Sequence, residues 1–405
     1  MKSNISSTGS NARPRVYRRA VAVVGLVIII ATGSTKLQAD TGSCGGASIT
    51  LTFTDVPSAN IFFCSIAEAF FSGLTNGTDA THYNPSANVP REQMAAFVTR
   101  TMDQSVKRGS KPAALQQFWT TQGVSGLTTV GTSPQLVQSD GADLWVANSL
   151  SNTVSRVRGS DGKLLDTWTG TTRAFSVLCA MGKVFIASSA NPGRLYQIDP
   201  TQPAGAVPVL ATLGDSTLGI AFDGQRIWTA NFAGSVSIVT LTPLSVTTVS
   251  TGFTSPRGIL FDGGNIWVTD QGDNTIKKLD SSGNILLSVD MGTTPRFPTF
   301  DGTNTWVPNG TANSVSVVRA TGALSGTVIA TLTGNGLNSP YQAAFDGERI
   351  LVTNGSGASV SLWRATDLVP LGTFPTVPGI NPLGACSDGL NFWIALAGAN
   401  KLARF

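Results

Sequence analysis

A repeat of about 40 residues runs through the sequence from residue 115 onward and restricts the possible folds more than any other feature. Each repeat is marked by an Asp-Gly pair, and a tryptophan usually stands five residues after the aspartate. One repeat has Met181-Gly182 in place of the pair, and Leu351 replaces the tryptophan in another. The six Asp-Gly pairs and the Met181-Gly182 repeat together make seven units. The pairs begin at Asp140, Asp223, Asp262, Asp301, Asp346 and Asp388.

The fourth repeat shows what one unit contains. Apolar residues 258–261 run into Asp262-Gly263, a pair typical of a tight hairpin turn, and residues 265–269 read as the next strand. Two more β-rich runs, 275–279 and 285–289, follow after further turns. Four antiparallel strands in a unit of this length predict one blade of a propeller. The sequence therefore predicts a mainly β protein whose residues 115–405 form a seven-bladed β-propeller.

The last repeat offers only three strands. Residues 127–130, which precede the first Asp-Gly pair, have the composition of a strand. We predict that they supply the missing fourth strand and so close the ring. The tryptophans, at one fixed strand position per repeat, can be read as sugar-stacking surfaces or as packing between blades; we predict packing.

The first 39 residues are typical of a secretory signal peptide. Basic residues from Lys2 to Arg19 precede the apolar run 20–32, and Leu37-Gln38-Ala39 is a suitable cleavage site before Asp40. Cleavage between Gly33 and Ser34 is the alternative. The apolar run is shorter than the roughly 20 residues that a spanning helix needs. The expected mature protein is therefore exported, to the cell envelope, periplasm or cell surface, with no transmembrane span after cleavage.

The basic character of the chain belongs to this leader. The whole sequence has 27 basic and 23 acidic residues, and removing the six basic residues of the leader leaves 21 against 23. The expected mature protein is slightly acidic, which argues against nucleic-acid binding.

Residues 40–105 differ from the repeats and predict a small helical module. Helical periodicity covers residues 61–71, and a second amphipathic helix is expected over 91–102. The polar residues 106–114 read as a linker.

This module resembles an S-layer homology (SLH) module in its order of motifs. Pro90 departs from the family pattern, and one module is present where envelope anchoring commonly uses three. The resemblance implies a cell-wall or envelope polymer as partner, with Arg91 as a contact. The matching residues are Phe53, Asp55, Val56, Gly73, Leu74, Thr75, Gly77, Tyr83, Pro85, Arg91, Glu92, Met94, Ala95 and Phe97.

The repeats resemble the YVTN, NHL and streptogramin lyase propeller families, most clearly over residues 256–270. The resemblance implies the fold, while both binding modules and enzymes occur in these families. Streptogramin lyases are expected to use a propeller histidine as base. The single histidine of this chain, His82, lies in the small module.

Two groups of residues are candidate propeller sites. Five residues before the aspartate, consecutive repeats carry Arg257, Arg296 and Tyr341, which are expected to converge beside the channel and bind a carboxylate, phosphate or uronic acid. The alternative is that they are solvated rim residues, with each arginine paired with a neighbouring acid. A second ring of strand-end side chains favours local turn bonding, with Asp270 the best candidate ligand for a hard cation such as Ca²⁺. This near-ring comprises Asn148, Ser188, Asn231, Asp270, Asn309 and Asn354, and the seventh repeat has Leu396 at the same position.

The four cysteines fall into two pairs. Cys44 and Cys64 lie in the small module, where an exported protein can join them in a disulfide. Cys179 and Cys386 occupy matching positions two blades apart, so we expect two buried thiols there.

The function predicted from these features is ligand or partner binding at the propeller rim, without catalysis. Two alternatives remain: a lactonase-type or lyase-type enzyme that depends on a divalent cation, and a structural surface-layer component.

Overall fold

The computed structural model describes residues 40–44, 47–107, 123–376 and 381–405. It divides into two compact units, Met1–Arg108 and Gly109–Phe405. The predicted signal peptide lies outside the described residues, as do residues 108–122, which include most of the predicted linker. No helix in the described ranges is long and apolar enough to span a membrane.

The small unit contains a hairpin followed by two helices. Strands β1 (Asp40–Cys44) and β2 (Ala47–Leu51) pair antiparallel, an element that the sequence analysis did not predict. Helix α1 (Phe63–Phe71) matches the first predicted helix. Helix α2 (Arg91–Lys107) is longer than predicted and continues into the segment assigned to the linker.

The core of the small unit is built around Phe53, which is fully buried. Gly77 has a φ of +77°, and a Cβ there would lie 2.5 Å from the Phe53 ring, so glycine is required on both counts. The carboxylate of Asp55 accepts hydrogen bonds from the backbone N–H groups of Tyr83 and Asn84 at 2.9 and 2.6 Å. Several residues that carry the SLH resemblance therefore hold this unit together.

A disulfide joins Cys44 to Cys64, with their Cα atoms 5.5 Å apart. It connects the end of β1 to α1 and so ties the hairpin to the helix.

The large unit is a seven-bladed β-propeller, as predicted. It consists of seven four-stranded antiparallel sheets. Blade 1 contains β4 (Pro134–Ser139), β5 (Asp143–Asn148), β6 (Thr153–Arg158) and β7 (Leu164–Trp168). Blade 2 contains β8 (Ala174–Ala180), β9 (Lys183–Ser188), β10 (Arg194–Ile198) and β11 (Val209–Thr212). Blade 3 contains β12 (Thr217–Phe222), β13 (Ile227–Asn231), β14 (Ser235–Leu241) and β15 (Leu244–Val249).

The remaining blades follow the same plan. Blade 4 contains β16 (Pro256–Phe261), β17 (Ile266–Asp270), β18 (Thr275–Leu279) and β19 (Ile285–Asp290). Blade 5 contains β20 (Thr299–Phe300), β21 (Asn304–Asn309), β22 (Ser314–Arg319) and β23 (Val328–Leu332). Blade 6 contains β24 (Pro340–Phe345), β25 (Arg349–Asn354), β26 (Ser359–Arg364) and β27 (Pro370–Pro375). Blade 7 contains β28 (Pro382–Ser387), β29 (Phe392–Leu396), β30 (Lys401–Arg404) and β3 (Gly126–Thr129).

Blade 7 closes the ring with strands from two distant parts of the chain. Strand β3 pairs antiparallel with β30, with Leu127 opposite Ala403 and Thr128 opposite Leu402. The predicted closing strand is thus confirmed to within one residue. Leu402 and Ala403 are fully buried, so β3 protects part of the core of the last blade.

The repeated tryptophans are fully or almost fully buried, which confirms their predicted role in packing. Each also donates its indole N–H to the aspartate five residues earlier, at 2.7 to 2.8 Å. The other carboxylate oxygen accepts backbone N–H groups of the turn, as Asp262 does from Gly264 and Asn265. One side chain therefore sets the turn and orients the core residue. These Asp–Trp pairs are Asp140–Trp145, Asp223–Trp228, Asp262–Trp267, Asp301–Trp306 and Asp388–Trp393.

Candidate anion-binding site

The structure brings Arg257, Arg296 and Tyr341 together at one mouth of the ring. Arg257 and Tyr341 lie near the starts of β16 and β24, and Arg296 lies just before β20. The guanidinium carbons of Arg257 and Arg296 lie 5.3 and 5.1 Å from the centroid of the Tyr341 ring. Three consecutive blades thus contribute to one cluster, which we call the arginine cluster.

The arginines are held by neutral groups rather than by acids. Arg257 donates from Nη1 to Oε1 of Gln271 at 2.6 Å and from Nη2 to the Tyr341 hydroxyl at 3.4 Å. Arg296 donates from Nη1 to the carbonyl oxygen of Ser339 at 3.3 Å. Neither arginine forms a salt bridge with any acid in the described part of the chain. The alternative in which each pairs with a neighbouring acid is therefore wrong.

Burial makes this positive charge costly. The Nε atoms of both arginines are buried and have no hydrogen-bond partner among the described residues. Burial lowers the pKa of the Arg296 guanidinium, and the positive charge of Arg257 lowers it further. Two neighbouring cations without a compensating carboxylate form a site that an anion would stabilise.

The cluster rests on an apolar floor. The residues of this floor come from several blades. The ring centroid of Phe297 lies 5.9 Å from that of Phe175 and 5.2 Å from that of Tyr341. A cavity of about 320 Å³, lined by residues in or next to the first strands of all seven blades, shares Leu136 and Phe297 with this floor. Tyr341 is only 7% exposed, so the cluster is set into the mouth rather than standing free on the rim as the sequence analysis assumed. The floor consists of Leu136, Phe175, Phe297 and Tyr341, with Leu218 and Leu383 beside them.

Asp270 does not face a metal site in the structure. Its side chain is fully buried, and Oδ2 lies 2.7 Å from Nζ of Lys277. Its oxygens also accept the backbone N–H groups of Thr254 and Ser255 at 2.8 and 2.7 Å. The cation beside Asp270 is therefore an ammonium of the same blade. The described residues contain no cluster of three or more metal-binding side chains of the His, Cys, Asp or Glu type.

The asparagines at the equivalent position have a structural role different from the one predicted. Asn148 donates its amide to the hydroxyls of Thr153 and Ser155 on the next strand at 3.2 and 3.0 Å. The predicted bonding of each amide to its own turn is therefore replaced by bonds that cross-link neighbouring strands of the blade. The same pair of bonds recurs at Asn231, Asn309 and Asn354.

The other candidate residues are separate from the arginine cluster. Arg91 is exposed at the first residue of α2 in the small unit. Cys179 and Cys386 are unpaired and partly buried. Burial raises the pKa of the Cys179 thiol to about 12, so it is not a reactive thiolate.

Sequence reasoning missed two features of the propeller. The first is Lys277, at a third-strand position where four other blades have a serine. Blade 4 thus has lysine in place of this serine and Asp270 in place of the asparagine, and both differences can be read from the repeats. The four serines are Ser155, Ser237, Ser316 and Ser361. Gly310 was also overlooked. A Cβ at this position would lie 2.4 Å from Nε of Arg296, so the guanidinium occupies space that only glycine leaves free.

No protein-family model matches the sequence, and no curated protein matches it. Solved structures with the same fold include a streptogramin B lyase, with 16% identity, a TM-score of 0.58 and coverage of 69% of this chain and 96% of the lyase. The WD40 propeller of Doa1 is 14% identical, with a TM-score of 0.58 over 70% of this chain and 96% of that one. A hydrazine synthase of Kuenenia stuttgartiensis is 15% identical, with a TM-score of 0.58 and coverage of 71% and 98%. At these identities the similarity establishes the propeller fold alone.

Proposed function

We propose that this protein is an exported, envelope-associated binding protein whose propeller captures an anionic ligand at the arginine cluster, without catalysis. The observation that carries the proposal is the pair of neighbouring, partly buried guanidiniums with no acidic partner in the described part of the chain. Arginine forks bind oxyanions through charge-assisted hydrogen bonds, and partial burial strengthens such bonds.

The proposal does not include catalysis, because the arginine cluster contains no histidine, carboxylate, lysine or cysteine. Its three side chains are two guanidiniums and a phenol, and the amide of Gln271 accepts a hydrogen bond from Arg257. The cation-dependent enzyme considered from the sequence relied on Asp270, whose carboxylate is engaged by Lys277. A thermal-shift measurement with EDTA and with Ca²⁺ tests this point, since a metalloenzyme would respond to both.

Ligand binding is tested with an array of acidic and neutral glycans and with simple anions. Losing one guanidinium removes about 1.5 to 3 kcal/mol, so Arg257→Ala and Arg296→Ala should each weaken anion binding by about 10- to 100-fold. Arg364→Ala is the matched control, because it removes the same charge from an exposed arginine that pairs with Asp367. Equal affinity in wild type and both cluster variants would remove the anion site from consideration.

The envelope location rests on the export pattern of residues 1–39 and on the SLH resemblance of residues 40–105. In this proposal the small module contacts a cell-wall polymer, residues 106–114 act as the linker and residues 115–405 display the ligand site. N-terminal sequencing of the exported protein should find a start near Asp40. Purified cell-wall sacculi should retain wild type better than Arg91→Ala, and equal retention would leave the module as a spacer.

A further inference from the structure

The arginine cluster is built for a ligand with more than one negative charge. Building on the anion site proposed above, we propose that its ligand is a doubly ionised phosphate monoester rather than a carboxylate. The cluster contains two guanidiniums and no carboxylate within salt-bridge distance among the described residues. A monoanion would leave one cation uncompensated in a partly buried site, whereas a dianion balances both.

The donors that remain free also suit a tetrahedral group. Nη2 of Arg296 makes no hydrogen bond to the described part of the chain. Nη2 of Arg257 makes only the long contact to the Tyr341 hydroxyl, at 3.4 Å. The Tyr341 oxygen accepts that contact, which leaves its own proton to donate. A phosphate ester offers three terminal oxygens to these three donors, while a carboxylate has two oxygens in one plane.

Two glycines lie beside the Arg296 side chain. The loops that follow the second strands of blades 5 and 6 begin with Gly310 and Gly355, beside Arg296. The same position in five other blades carries a side chain, namely Ser149, Ser189, Phe232, Gln271 and Ala397. In blade 5 the Arg296 guanidinium therefore lies where these other blades carry a side chain of their own loop. Gly310 in addition allows the Arg296 guanidinium to lie against the backbone.

The propeller contains no histidine, the residue type whose ordinary pKa lies near 6, because the single histidine of the sequence is His82. Near Gln271, Lys277 forms ion pairs with both Asp270, at the end of β17, and Asp273, in the following loop. Burial opposes ionisation of Asp273, yet hydrogen bonds from Lys277 and Thr275 lower its pKa, so it stays ionised above pH 4. A change in affinity around pH 6 must therefore come from the ligand, because the second ionisation of a phosphate ester has a pKa near 6.

The test compares phenyl phosphate, phenyl sulfate and benzoate, which share one ring, by calorimetric titration of the full exported protein. At pH 7.5 phenyl phosphate should bind at least 10-fold more tightly than the other two. Its affinity should fall about 10-fold at pH 5.0, following the loss of the dianion, while phenyl sulfate binding stays constant. If phenyl sulfate or benzoate binds as tightly as phenyl phosphate, the dianion proposal is overturned and the anion site stands. If none of the three binds, the anion site itself fails.

Two glycine variants test how Arg296 is positioned. Gly310→Ala should weaken phenyl phosphate binding by 10-fold or more, because its Cβ would displace the guanidinium. Gly205→Ala, in the loop between the third and fourth strands of blade 2, is the control, since no atom lies within 4 Å of the Cβ that it would add. Neither variant should change the melting temperature by much, because the Arg296 side chain can move. Unchanged binding by Gly310→Ala would contradict the assigned position of Arg296.

Discussion

At the scale of single residues, the propeller repeats one neutral polar network and replaces it once with charges. In four blades an asparagine at the end of the second strand binds two hydroxyls of the third strand. In blade 4 Asp270 replaces the asparagine, and Lys277 replaces the residue that carries the second hydroxyl. Both side chains are buried. The ion pair is thus a local exchange within a position that the fold already uses for polar bonding.

Lys277→Ser should destabilise the propeller by about 3 to 5 kcal/mol, because it leaves the buried Asp270 carboxylate without its cation. Asp270→Asn should cost less, because Lys277 keeps its ion pair with Asp273. The double variant recreates the Asn–Thr–Ser arrangement of blade 1 and should recover most of that loss. Urea denaturation monitored by tryptophan fluorescence measures the three variants. If the double variant loses as much unfolding free energy as the two single variants together, the ion pair does not substitute for the Asn–Thr–Ser network.

The turn aspartates make stability depend on pH in the acid range. Burial of Asp223 opposes its ionisation, but bonds from Trp228 and the backbone of Arg226 outweigh burial and lower its pKa. Asp140 behaves in the same way, with bonds from Asp143 and Trp145. Because these folded-state pKa values lie below the unfolded value near 3.9, their stabilisation is present above about pH 4 and is lost at lower pH.

The unfolding free energy of the propeller should therefore be nearly constant from pH 7 to pH 5 and should fall below about pH 4. Asp223→Asn should cost about 1.5 to 3 kcal/mol at pH 7 and less at pH 3, because the wild-type carboxylate is then partly protonated. Urea unfolding at several pH values checks both statements, and a difference that does not depend on pH would exclude the charged form as the cause.

Residue patterns revealed part of the site but not its chemistry. The register of the repeats placed Arg257, Arg296 and Tyr341 in equivalent positions, which was enough to predict that they meet. Whether an acid pairs with each arginine depends on loops from neighbouring blades, and repeat register alone does not fix those contacts. The role of Gly310 is equally non-local, since it depends on where the Arg296 side chain lies.

At the scale of elements, strand β3 is the piece on which the ring depends. It covers β30, whose residues Leu402 and Ala403 are fully buried. Without β3 the last blade would have three strands and an unpaired edge, which favours association with other chains. This element was predictable because the number of strands in the last repeat was one short. The hairpin β1–β2 was harder to predict: residues 47–51 alternate between apolar and polar side chains, but their partner strand, residues 40–44, is almost entirely polar or small.

A fragment of residues 109–405 should fold as a monomer with one cooperative transition, whereas a fragment of residues 131–405 should aggregate or melt broadly. Both fragments contain every Asp-Gly repeat, so they differ only in the region that includes β3. Size-exclusion chromatography and thermal melting distinguish them. Equal behaviour of the two would show that β3 is dispensable for closure.

At the scale of the whole molecule, the two units differ in what stabilises them. The small unit has a disulfide across a sequence separation of 20 residues, whereas Cys179 and Cys386 in the propeller are unpaired. A crosslink of this span is worth about 3 kcal/mol in the chain-entropy model.

A reducing agent should therefore lower the melting temperature of the small unit and leave that of the propeller unchanged. Cys64→Ser should reproduce the effect without reductant, and Cys386→Ser serves as the control in the large unit. Differential scanning calorimetry of the full chain resolves the two transitions. A shift of the propeller transition on reduction would contradict the independence of the two units.

The closing strand can pair with its partner only at the end of protein synthesis. Ser125, just before β3, bonds to Arg404, which lies 279 residues later in the chain. At about 5 to 20 residues per second, a ribosome needs roughly 15 to 55 s to add that length. The first strand of the propeller to be synthesised, β3, therefore has no partner until the last strand, β30, has been made. Until then the ring is open. A nascent chain that stops in any earlier blade has no partner for β3, so early termination yields an open ring with a free edge rather than a smaller propeller.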